Sequence, residues 1–139
     1  MAWGALGHAT ACYETAVHYT RQRVQFGRPL GASPVVQERL ARMLSELTRV
    51  QTLLMALTRL EEASGLRGDQ ASLAKYSATR AARVIAADAR DLLGGNGILL
   101  ADRVGRHFAD VEALHTYEGT ETVQALIVGR GITGHSAFA

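Results

Sequence analysis

Three short stretches of this chain hold side chains that could do chemistry. In the first, His115-Thr-Tyr-Glu-Gly-Thr120, Glu118 stands among residues that turn or cap a chain. A carboxylate in that setting could accept a proton from a bound substrate, provided its surroundings strengthen it as a base. A bland account is equally complete: Thr120 caps a helix, Gly119 turns the backbone, and Glu118 is solvated near a helix N-terminus. Composition alone favours the bland account.

The second stretch is Glu112-x-x-His115, the unit that di-iron helical bundles use twice, together with two further glutamates. Only one copy is present, and His8, His18, His107 and His135 show no matching carboxylate pattern. No metal site is expected from so incomplete a ligand set. The third is Leu93-Gly-Gly-Asn-Gly97. Phosphate-cradling glycine loops run from a strand into a helix, whereas these glycines follow a helical run, so their spacing reads as a helix stop. Cys12 is alone among small and apolar residues, which excludes a disulfide framework and a thiolate metal site.

Helices must position these groups. An apolar pattern already running at Trp3 predicts a helix over 3–26. Gly27, Pro29, Gly31 and Pro34 then break the chain, and Ser33-Pro34 is a cap and first-turn pair for the next helix. Val36, Leu40, Met43, Leu47, Val50, Leu54 and Leu57 recur at steps of four and three, forming one packing face. Glu38, Arg42, Glu46 and Arg49 lie on its polar complement. Gly65 and Gly68 end that helix, and Asp69 is expected to cap an alanine-rich third helix over 70–93. Its small side chains admit close neighbours, so it should be the central helix. Shorter helices fit 101–112 and about 120–132. No segment alternates as a strand does, so no sheet is predicted. The fold class is all-α, a bundle of four or five helices in one domain, 1–139.

Hydrophobic residues make up 47% and charged residues 20% of the 139, which predicts a packed core rather than disorder. A net charge of +2 with scattered basic residues gives no nucleic-acid or membrane footprint. With no membrane-length apolar run and no signal-like start, the expected location is the cytoplasm.

Four blocks, in order, resemble the C-terminal domain of acyl-CoA dehydrogenases: Tyr19-Thr-Arg-Gln-Arg-Val-Gln-Phe-Gly27, Ala41-Arg-Met-Leu44, Leu93-Gly-Gly-Asn-Gly97 and Tyr117-Glu-Gly-Thr120. Within that family the likeness runs to glutaryl-CoA dehydrogenases. It rests on Ala-Trp-Gly at 2–4, Asp91-Leu-Leu-Gly-Gly95, the run from Ala125 to Gly134, and Ala137-Phe138.

The resemblance implies roles. Glu118 falls on the carboxylate that removes the α-proton of an acyl-CoA thioester while the β-hydride passes to flavin. Tyr117 and Gly119 fall on substrate-contacting positions. Arg23 resembles the arginine holding the pyrophosphate of FAD, and Phe26 would lie against its adenosine. Asp91, Leu92, Leu93, Gly94 and Gly95 match a backbone segment that reaches the FAD of a neighbouring subunit, and Thr120 and Phe138 match further FAD contacts. A homo-oligomer, dimer or tetramer, and an electron-transfer flavoprotein as electron acceptor are implied too. Where the family often has glutamine after the FAD arginine, this sequence has Pro34, with Gln37 the available substitute. Such enzymes also have an N-terminal helical domain and a middle β-domain, and no counterpart of either precedes Met1. The chain is therefore expected to supply the base and half a flavin site and to be inactive alone. The alternative is a non-catalytic, self-associating helical bundle.

Overall fold

Helix α1 covers Ala2–Gln22 in the computed structural model, which describes residues 1–138. It is followed by α2 (Pro34–Ser64), α3 (Gly68–Leu92), α4 (Val104–Thr116) and α5 (Glu121–Thr133). The anticipated all-α bundle is what forms. On α2, Met43, Leu47, Val50 and Leu54 are buried in the middle of the expected seam, while Val36, Leu40 and Leu57 at its ends are half-buried. Each large apolar side chain so enclosed contributes about 1.5–3 kcal/mol through removal from water. Helix α3 is the central element, packing against all four others. Six alanines on it are buried, together with Ile85, Ser72, Lys75 and Thr79. Cys12 is fully enclosed as a small hydrophobe, and burial pushes its thiol up to about 12.

Several boundaries differ from the sequence-based expectations. Helix α1 stops at Gln22 rather than running to 26, because Arg23 is extended. Val24–Gln25 (β1) then pairs with Arg28–Pro29 (β2) in a short antiparallel ladder, correcting the expectation of no strand. Phe26 (φ 52) and Gly27 (φ 77) form the connecting turn. Two consecutive left-handed residues match the twist of paired strands, and two-residue strands are too short to leave an alternating pattern. Helix α3 begins at Gly68 with Arg67 as its cap. Asp69 instead lies in the first turn, where it binds the Arg67 side chain at 3.0 Å. Ser33 does precede α2, yet its backbone carbonyl, not its hydroxyl, accepts from the Gln37 amide. Short 3-10 turns occupy Gly94–Ile98 and Leu100–Asp102, so α4 starts at Val104 and reaches Thr116. Among the described residues no helix is long and apolar enough to cross a membrane.

Candidate functional site

The loop between α4 and α5 carries Glu118 in a left-handed conformation (φ 55), followed by Gly119 at φ 88. A non-glycine residue held there costs about 1–3 kcal/mol and persists only where its neighbours enforce it. The neighbours are clear. Lys75, a buried residue of α3, donates from Nζ to the carbonyl oxygens of Tyr117, Glu118 (3.1 Å) and Gly119 (2.5 Å). From α5, buried Gln124 donates to the Glu118 carbonyl at 2.9 Å. Glycine suits this position: at φ 88 any side chain is strained, and a Cβ would also press on the Gln124 amide nitrogen at 2.6 Å. Burial pushes the Lys75 ammonium below its ordinary value, and the Glu118 carboxylate pulls it back upward.

Glu118 itself is exposed, as is Tyr117. Glu118, Lys75 and Gln124 help line a mostly apolar cleft of about 480 Å³, whose other walls include Trp3, Leu54 and Leu57. The carboxylate therefore stands beside apolar surface while remaining open to a ligand.

A second hollow of about 530 Å³ lies at the other end of α3. It unites Arg23 with Asp91, Leu92, Leu93, Gly94 and Gly95, all of which the sequence had grouped as cofactor contacts. Arg23 and Arg39 supply guanidinium donors there, and Arg39 also lies 3.8 Å from the Asp91 carboxylate. Cationic forks beside exposed glycine backbone suit a pyrophosphate, so the donor set fits FAD. Gly97, just beyond, must lack a side chain because a Cβ would sit 2.1 Å from the Arg90 carbonyl oxygen.

The remaining expected contacts are dispersed. Phe26 is 99% exposed at its turn, Thr120 precedes α5 without a side-chain capping bond, and Phe138 is exposed beyond that helix. Tyr117, Gly119, Thr120, Phe26 and Phe138 line neither hollow. Gln37 donates to the Gly31 carbonyl at 2.9 Å.

Glu112 and His115 have other partners: Glu112 accepts from Arg83 at 2.6 Å, and His115 Nε2 lies 3.5 Å from a Glu121 carboxylate oxygen. His107 does have a carboxylate at helical spacing, Asp110, and both lie near His8. The two imidazole Nδ1 atoms are 2.8 Å apart, which one N–H donated between rings explains. Sequence reasoning passed over Lys75 and Gln124. The signal for Lys75 was present, because the chain has fourteen arginines and this single lysine.

Comparison with known proteins identifies the family of the domain. Residues 1–133 match the family model "Acyl-CoA dehydrogenase, C-terminal domain". An acyl-CoA dehydrogenase of Bacillus subtilis (strain 168) is 37% identical over 130 residues, covering 94% of this chain and 34% of that protein. The human mitochondrial short-chain specific acyl-CoA dehydrogenase is 33% identical over 124 residues, covering 89% and 30%. The crystal structure of a glutaryl-CoA dehydrogenase from Mycobacterium smegmatis superposes with a TM-score of 0.96 at 40% identity, over 99% of this chain and 36% of that one. A second crystal structure of that enzyme is a complex with FADH2. The chain spans about a third of the length of the curated relatives it matches. Matched by that family model over residues 1–133, this chain belongs to the acyl-CoA dehydrogenase family.

Proposed function

We propose that this chain is the base-bearing domain of an FAD-dependent acyl-CoA dehydrogenase acting on glutaryl-CoA or a close analogue. The observation that carries the reading is Glu118, exposed, lining an apolar cleft and presented by a clamped left-handed turn. Its carboxylate takes the α-proton of the thioester, the β-hydrogen leaves with its electron pair, and a carbon–carbon double bond forms. Bound flavin supplies the two-electron acceptor, and an electron-transfer flavoprotein is the natural oxidant for it. Arg23 and the backbone of 91–95 would hold the cofactor, and the resemblance assigns Tyr117 and Gly119 to the acyl group although neither lines the cleft itself. Forty per cent identity to the M. smegmatis enzyme supports the glutaryl assignment.

The test is Glu118→Gln in the flavin-loaded enzyme that contains this chain, monitored anaerobically by acyl-CoA-dependent loss of flavin absorbance. Loss of the base should slow reduction roughly 10²–10⁴-fold with flavin still bound. Reduction at the parent rate would remove Glu118 from the role.

A second reading, a self-associating bundle without turnover, is favoured by apolar side chains left in solvent, notably Phe26, Val35, Ile98, Leu100 and Ile132. It predicts that the 139 residues mixed with FAD show no acyl-CoA-dependent bleaching and sediment as a dimer or tetramer.

A further inference from the structure

We propose that Lys75 is the positioning residue for the base: its ammonium gathers three consecutive carbonyls of the 117–119 loop and so aims the Glu118 side chain into the cleft. The inference rests on the reading of Glu118 as the base. Its structural foundation is separate.

Three facts converge on it. Lys75 is the sole lysine of the chain, and it is 7% exposed, whereas most of the fourteen arginines lie at the surface. Its partners are the carbonyl oxygens of Tyr117, Glu118 and Gly119, three in succession. The backbone that presents them is coiled by Glu118 at φ 55 and Gly119 at φ 88. The ammonium and the strained turn therefore explain each other.

A simple helix-capping role does not account for the arrangement. Only Tyr117 is the cap residue of α4, and the other two carbonyls lie beyond it. The lysine's own backbone is firmly held, since its carbonyl accepts the Thr79 hydroxyl at 2.9 Å and Ser72, Ala74 and Ala78 beside it are buried. Gln124 of α5 adds a second donor at the Glu118 carbonyl. An ammonium offers three N–H donors fanned around one atom, matching three carbonyls; a guanidinium spreads its donors in a plane and does not. This explains a lysine in a chain otherwise built with arginine.

The test compares Lys75→Met and Lys75→Arg with the parent in the flavin-loaded enzyme containing this chain. Lys75→Met should lower kcat roughly 10–100-fold, as small displacements of a reacting group do, with KM changed less than about 3-fold and flavin still bound. Lys75→Arg keeps the charge but not the three-way fan and should recover only a minor part of kcat. Hydrogen exchange read by mass spectrometry should quicken at least about 10-fold in a peptide spanning 116–122 and stay unchanged across α3 and the core of α2. Parent-like kcat in Lys75→Met, full recovery by Lys75→Arg, or exchange that rises equally in loop and core would each overturn the proposal. Glu118→Gln run in parallel separates the two readings. If that variant stays active, the base assignment fails, while the exchange measurement still reports whether Lys75 holds the loop.

Discussion

The glycines of 93–97 should answer differently to the same added methyl group. At Gly97, a Cβ would lie 2.1 Å from the Arg90 carbonyl oxygen and 2.9 Å from its carbon. Both atoms are backbone of α3, so no side chain can swing aside. To reach ordinary contact at 3.4 Å, the 3-10 turn must retreat by about 1.3 Å. Overpacking of this kind costs roughly 1–3 kcal/mol, and rigid neighbours place Gly97→Ala near the top of that range. Gly94 has open space around it but φ 59, so Gly94→Ala should cost about 1–2 kcal/mol for left-handed backbone alone. Gly95 has open space and no positive φ. Gly95→Ala should be neutral or stabilising by up to about 1 kcal/mol, because it restricts the unfolded chain. Thermal and urea unfolding followed by circular dichroism would rank the three, with Gly97→Ala lowering Tm by about 10 °C at roughly 4 °C per kcal/mol. If Gly97→Ala cost less than Gly94→Ala, the close approach of this turn to α3 would be wrong. The same retreat should weaken flavin binding, since the turn borders the hollow shared with Arg23.

Two further outcomes concern the core. Met43→Ala empties a fully buried site on α2 and should cost about 2–5 kcal/mol in urea unfolding; a loss below about 1 kcal/mol would contradict that burial. Cys12 keeps its thiol neutral in the fold up to about pH 12, whereas the unfolded thiol ionises near 9.0. The folded state therefore binds more protons in that window. The resulting stability is full below pH 9 and is lost between 9 and about 12, by about 1.4 kcal/mol per pH unit. Cys12→Ala should remove that slope relative to the parent, and parallel curves for the two proteins would refute the shift. Native Cys12 should also resist thiol reagents until the chain unfolds.

Much of the fold was legible because helical periodicity is a local signal. The steps of four and three from Val36 to Leu57 mark the seam of α2, whose middle is buried, and the alanines of 70–93 mark the helix that all others touch. The boundaries were less legible. Arg23 leaves the helix because the following residues pair as a hairpin whose two-residue strands leave no alternation to read, and Phe26 takes a left-handed turn position normally left to glycine or asparagine. At the site, the Tyr-Glu-Gly-Thr loop was readable through resemblance and the glycine segment through its helix-ending pattern. The clamp on the loop was not, because Lys75 and Glu118 are distant in sequence and meet only when α3 packs beside the end of α4. A pattern search sees residue types along the chain; it does not see which carbonyls converge across a loop.

Helix α3 has one more consequence. Lys75, near its start, grips the loop of the base, and Asp91-Leu92, at its end, borders the hollow of Arg23. Sixteen residues separate these points, about 24 Å of continuous α-helix at 1.5 Å per residue. The helix is thus a ruler as well as a packing core, setting both the spacing and the rotational phase between the two ends. Removing one residue at its middle, near Arg83, would shorten the span by only about 1.5 Å but turn one end by about 100° relative to the other. A side-chain substitution along α3 leaves that spacing and phase intact. A change in its length does not.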